Sequence, residues 1–109
     1  MKEYRVDVEF VGIDELKVDG FIKAHIEDIV KRNAKKFGQL VKNNGRLKVQ
    51  IKQYKATFSG KQHKCSVKVH LAFPGMSFAV DKAYGWDINV AVHKAMADME
   101  NKIRHRFHD

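Results

Sequence analysis

The spacing of apolar residues changes period in a set order along this chain, and that order leaves few folds open. Tyr4, Val6, Val8 and Phe10 recur at every second position with Arg5, Asp7 and Glu9 between them, the alternation of a half-buried strand. The period then lengthens. Ile22, Ile26, Ile29, Val30 and Phe37 form an apolar stripe at helical spacing behind Asp19, a residue suited to capping a helix, and Gly38 marks the expected end. Asn43-Asn44-Gly45 signals a turn, after which Leu47, Val49 and Ile51 alternate with Lys48, Gln50 and Lys52. Ser59-Gly60-Lys61-Gln62 is the next break. A third strand sets Cys65, Val67, Val69 and Leu71 inward and Lys64, Ser66, Lys68 and His70 outward, and Pro74-Gly75 turns the chain into a fourth around Phe78 and Val80. From Trp86 or Asp87 a last helix aligns Ile88, Val92, Ala95, Met96, Met99 and Ile103, with Asp87 placed to favour its first turn. The reading is an α+β fold of order β-α-β-β-β-α, a four-stranded sheet with two helices packed on one face. At this length residues 1–109 form a single domain.

Other classes are excluded early. A hydrophobic fraction of 44% with one proline argues against disorder, and no apolar run approaches the ~20 residues of a membrane span. Met1-Lys-Glu-Tyr-Arg lacks the apolar core of a signal peptide. Cys65 is the sole cysteine, so no intramolecular disulfide forms and a reducing, cytoplasmic setting is the simplest inference.

Charge carries the functional signal. Between Ile29 and Val80 there is no Asp or Glu, while lysines and arginines recur throughout; the thirteen acids are confined to the two ends, so the net charge of +8 is a segregated field that draws in polyanions. Packing the helices on the sheet leaves two basic surfaces. The outer side of the helix pair carries Lys23, Lys31, Arg32, Lys35, Lys36, Lys94, Lys102, Arg104 and Arg106, with His105 in the terminal cluster; the open sheet face carries Lys48, Lys52, Lys64 and Lys68. Any one of these side chains has an alternative role as ordinary solvated surface.

Known RNA-binding modules fit poorly. No Gly-x-x-Gly loop is present for a K-homology clamp, and the outward sheet positions offer Lys, Gln, Ser and His rather than the stacking aromatics of an RNA-recognition motif. A double-stranded RNA-binding domain shares the helix, three strands, helix order but lacks the first strand and opens its last helix with lysines. This last helix opens with Trp86-Asp87. The segment Asp87-Ile88-Asn89-Val90-Ala91-Val92, followed by Met99-Glu100-Asn101-Lys102-Ile103, resembles the Asp-Met-Tyr-x-Ala-Ile and Leu-Glu-x-x-Leu segments of the ribosome hibernation promoting factor and ribosome-associated inhibitor A family. The first helix, with Asp19, the Ile22, Ile26, Val30 and Phe37 stripe and Lys23, Arg32 and Lys35, is similar too, and Gly12 stands near an early glycine of that family. Asn89 departs from it, standing where relatives carry tyrosine.

The resemblance implies a ribosome-associated stress-response factor in translation regulation. Its partner is the small ribosomal subunit, reached through rRNA in the messenger and transfer-RNA channel, with no membrane, small-molecule substrate or cofactor. The residues it points to for RNA binding are Lys23, Lys31, Arg32, Lys35, Lys36, Lys94, Lys102, Arg104, His105 and Arg106. The chain ends soon after the last helix, which resembles the short form of the family, monomeric off the ribosome. Competing readings are a generic double-stranded RNA-binding-like module and a basic protein-interaction module. An enzyme or metal site is not supported: His63 and Cys65 share a strand face, but no His-Glu-x-x-His or Cys-x-x-Cys accompanies them, and no catalytic triad or carboxylate pair can be placed. Trp86 and Tyr84 read as core packing at the helix entry, and Met96 and Met99 as core filler.

Overall fold

The structure, a computed structural model, describes residues 3–16, 18–55, 63–85 and 87–107. Its elements follow the anticipated order: β1 (Val6–Val11), a 3-10 turn (Ile13–Glu15), α1 (Gly20–Val41), β2 (Gly45–Lys55), β3 (His63–Phe73), β4 (Met76–Gly85) and α2 (Ile88–Phe107). The strands form one sheet in the order β1-β2-β3-β4, with β1 parallel to β2 and the remaining neighbours antiparallel. A parallel pair requires a crossover, which α1 supplies. Two antiparallel steps make β4 parallel to β2 and hence to β1. The helices that come after β1 and β4 therefore return over the sheet in the same direction, side by side.

The core lies between sheet and helices. Leu47, Val49 and Ile51 of β2 and Cys65, Val67, Val69 and Leu71 of β3 are buried with Ile26, Val30 and Phe37 of α1 and Val92, Met96, Met99 and Ile103 of α2. Val6, Val8 and Phe10 are half-buried against this cluster from the edge strand. Cys65 behaves as a small hydrophobe; burial, and secondarily the Asp87 carboxylate, pushes its thiol pKa up.

Asp19 caps α1 as anticipated, and Asp87, expected to favour the first turn of the last helix, stands just before α2 and caps it. The Asp19 carboxylate accepts the Ile22 N–H at 3.0 Å, and the Asp87 carboxylate accepts the Asn89 N–H at 2.9 Å. The end of α1 departs from expectation: the helix does not stop near Gly38 but runs to Val41. Leu40 and Val41 gain a further half-buried turn, and Lys42, left-handed at φ 58°, closes it by donating its N–H to the Gly38 carbonyl at 2.8 Å. Gly38 has a different task. A Cβ there would stand 3.0 Å from Val6 Cγ2, so its absence lets α1 press onto β1.

Two further departures concern the sheet. Val67 pairs with Ala83 but Val69 pairs with Val80, so a bulge puts Asp81 and Lys82 together opposite Lys68. Val80 and Ala83, three positions apart, are consequently both buried. Ser66, expected outward, is only 8% exposed; it lies in register with Lys52 of β2, and its side chain is short. Trp86, the Tyr84 side chain and the break at 59–62 lie outside the described residues.

Candidate nucleic-acid interface

The parallel course of the helices decides where the cations gather. His25 lies beside His93, with ring centroids 6.4 Å apart, and further along the same seam Lys36 contacts Glu100 at 2.5 Å. The later turns of α1 and α2 thus stand together. Lys31, Arg32, Lys35 and Lys36 come from the middle and later turns of α1, and Lys102 with Arg104, His105 and Arg106 from the end of α2, the last three in its final turn, where the helix dipole is negative. Lys23 and Lys94 lie toward the opposite end. The sequence-derived set is therefore spread along the helix pair, with its larger share on the later halves of the two helices.

Positions around each axis divide the set again. At about 100° per residue, Lys31, Arg32 and Lys35 occupy the side of α1 opposite Ile26, Val30 and Phe37, and all three are exposed. Lys36 and Arg104 line the seam between the helices. Lys102 stands two positions from Glu100, about 200° round α2 and so on the flank turned away from α1, with Arg106 one turn beyond. Lys23 is half-buried. Lys31 and Lys35 border a shallow depression shared with Tyr4, Arg5 and Val6.

Ion pairing separates available cations from engaged ones. Arg32 pairs with Asp28 at 2.8 Å along its own helix, while Glu100 accepts both Lys36 at 2.5 Å and Arg104 at 2.8 Å, tying the helices together. Among the described residues, Lys23, Lys31, Lys35, Lys94, Lys102 and Arg106 have no ion-pair partner. The Glu100–Arg104 spacing is legible in sequence as an i,i+4 pair; the Lys36 contact is not, because it depends on how two distant helices register.

Hydrogen bonds from Lys36, then Arg104, hold the Glu100 carboxyl below its ordinary pKa of 4.5. A carboxyl lowered by folding adds stability above its unfolded pKa and loses it as pH falls through the folded value. Glu100→Gln is expected to flatten the decline of melting temperature below about pH 4.5 relative to wild type. An unchanged acid limb in thermal melts across that range would mean that the clamp contributes nothing to acid stability.

On the far side of the sheet, Lys48, Lys52, Lys64 and Lys68 are all exposed, as their alternation requires. Among the described residues, no group of three or more His, Cys, Asp or Glu is arranged to hold a metal ion, and no helix is long and apolar enough to cross a membrane.

Residues 11–108 match a family model described as sigma 54 modulation protein / S30EA ribosomal protein. Among solved structures, the N-terminal domain of Protein Y from Thermus thermophilus covers 96% of this chain and 98% of its own, at 20% identity and a TM-score of 0.46, a likeness too loose for residue-level correspondence. No curated protein matches the sequence.

Proposed function

The chain belongs to the sigma 54 modulation protein / S30EA ribosomal protein family, and from that membership we propose that it is a cytoplasmic ribosome hibernation factor that seats its helix pair on small-subunit rRNA. The observation that supports the rRNA contact is the set of exposed cations along two parallel helices, where Lys31, Lys35, Lys102 and Arg106 have no acid partner among the described residues. Long side chains three or four positions apart on neighbouring helices can track a row of phosphates, and phosphate contacts fix position without reading sequence. Residence in the messenger and transfer-RNA channel would then exclude those ligands sterically. The role is one of binding, with no covalent step and no cofactor.

Counterion release gives the test. A site that neutralises six or so phosphates loses about a thousandfold or more in affinity between ~50 and ~200 mM salt. Co-sedimentation of the purified protein with isolated small subunits, repeated across that range, is expected to show this loss. A flat response, or equal capture by any duplex RNA at matched salt, would leave a generic RNA-binding module instead.

A further inference from the structure

The sheet face opposite the helices has a charge pattern of its own. Among the described residues no element packs on it. Its two central strands present Arg46, Lys48, Gln50 and Lys52 from β2 and Lys68 and His70 from β3, all exposed, and these two rows contain no acid. Register brings the rows together: Lys48 lies opposite His70, and Gln50 opposite Lys68. The acids stand outside them, with Asp7 and Glu9 on edge strand β1 and Asp81 on edge strand β4. Arg46, Lys48, Lys52 and Lys68 are in no ion pair among the described residues, whereas Asp7 is engaged by Arg5 at 2.8 Å. Lys52 is steadied over the Tyr54 ring, 5.1 Å from its centroid.

Shape adds to charge. Small side chains, Ala72 and Ala79, leave two shallow depressions that share Lys48 and His70 as rim residues. One continues to Arg46 beside Asp7 and Glu9, the other to Gln50 and Lys68 beside Asp81. From this arrangement we infer that the open sheet face is a second nucleic-acid site, a lane that holds one extended single strand of RNA along β2 and β3. Outward residues on a strand recur every two positions, about 6.6 Å, close to the spacing of successive phosphates in an extended single strand. Neighbouring strands are ~4.8 Å apart, so two central rows offer the width of one backbone, not the two of a duplex. Glu9 on one edge strand and Asp81 on the other disfavour phosphate there and so favour the middle rows. Gln50, set among the cations, has both a donor and an acceptor for a base edge. Among the described side chains of this face Tyr54 is the one aromatic platform, which makes this a phosphate track with little sequence preference. The inference does not rest on the helix surface meeting rRNA; it assigns the opposite face.

Anisotropy titration of the full chain with a labelled single-stranded RNA dodecamer tests it, comparing Lys48→Gln/Lys52→Gln/Lys68→Gln with Lys31→Gln/Lys35→Gln/Lys102→Gln/Arg106→Gln. The sheet variant is expected to lose about tenfold or more in affinity and to flatten the slope of log affinity against log salt by about 2, as three single-strand phosphate contacts require. Amide shifts of the wild-type protein on adding the dodecamer should concentrate in residues 46–52 and 66–70, which keeps the test independent of any variant's folding. An equal or greater loss in the helix variant overturns the lane, as do shifts confined to the helices. A mononucleotide binding as tightly as the dodecamer overturns the extended track in favour of a single phosphate site. Displacement of the RNA by an equally charged poly-glutamate peptide at matched concentration overturns it in favour of an acidic protein partner.

Discussion

Replacing Lys31, Lys35, Lys102 and Arg106 together by glutamine is expected to lower affinity for small ribosomal subunits by about a hundred- to a thousandfold near physiological salt, and to reduce the salt slope by about four. These four are exposed on α1 and α2 and, among the described residues, no carboxylate engages them. Arg32, Lys36 and Arg104 form the internal comparison. Glu100 serves two of them and Asp28 the third, so each group already carries compensating charge, and their joint replacement is expected to cost clearly less binding. Replacing Lys48, Lys52 and Lys68 on the opposite face should leave subunit binding close to wild type. Co-sedimentation of the three variants at one salt concentration reads all of this. Losses that scale only with the number of cations removed, whichever face they come from, would mean diffuse attraction and no seated interface.

That ranking could not be drawn from the sequence. Apolar periodicity was sufficient for both helices and for the central strands, because burial on one face imposes a repeat that survives in the residues themselves: Leu47, Val49 and Ile51, or Val92, Met96 and Met99. It failed where a single local event resets the count. The bulge at Asp81 and Lys82 turns Val80 and Ala83 to the same side, and a glycine used for close approach to Val6 looked like a helix stop. The site was legible as a list and illegible as an arrangement. Which cations stand together is set by β1 and β2 being parallel and both helices returning the same way, and which of them are quenched is set by Glu100 reaching across to Lys36. Neither fact leaves a mark on nearby residues.

Gly12→Ala is expected to be among the most damaging conservative changes available, at about 3 to 5 kcal/mol, because two costs meet at one atom. Gly12 has φ 87°, and a Cβ there would overlap the Ile51 carbonyl oxygen. A non-glycine residue in such a conformation costs ~1 to 3 kcal/mol. Overpacking adds ~1 to 3 kcal/mol, and the obstacle is the backbone of β2, which cannot swing aside as a side-chain tip would. Displacing Gly12 also disturbs the adjoining 3-10 turn, since Glu15 donates its N–H to the Gly12 carbonyl and the turn seats Ile13 and Leu16 in the core. Two other glycines separate the costs. Gly75 shares the positive φ, at 82°, but a Cβ there meets nothing within 4 Å, so Gly75→Ala should show the conformational cost alone, about 1 to 2 kcal/mol. Gly20, in the first turn of α1, has neither problem, and Gly20→Ala should leave stability unchanged or raise it by up to ~1 kcal/mol. Urea unfolding of the three variants, with unchanged m-values, should rank them in that order. If Gly12→Ala fell level with Gly75→Ala, the loop after β1 would have room to move away from β2, and the close seating of that loop on Ile51 would have to be abandoned.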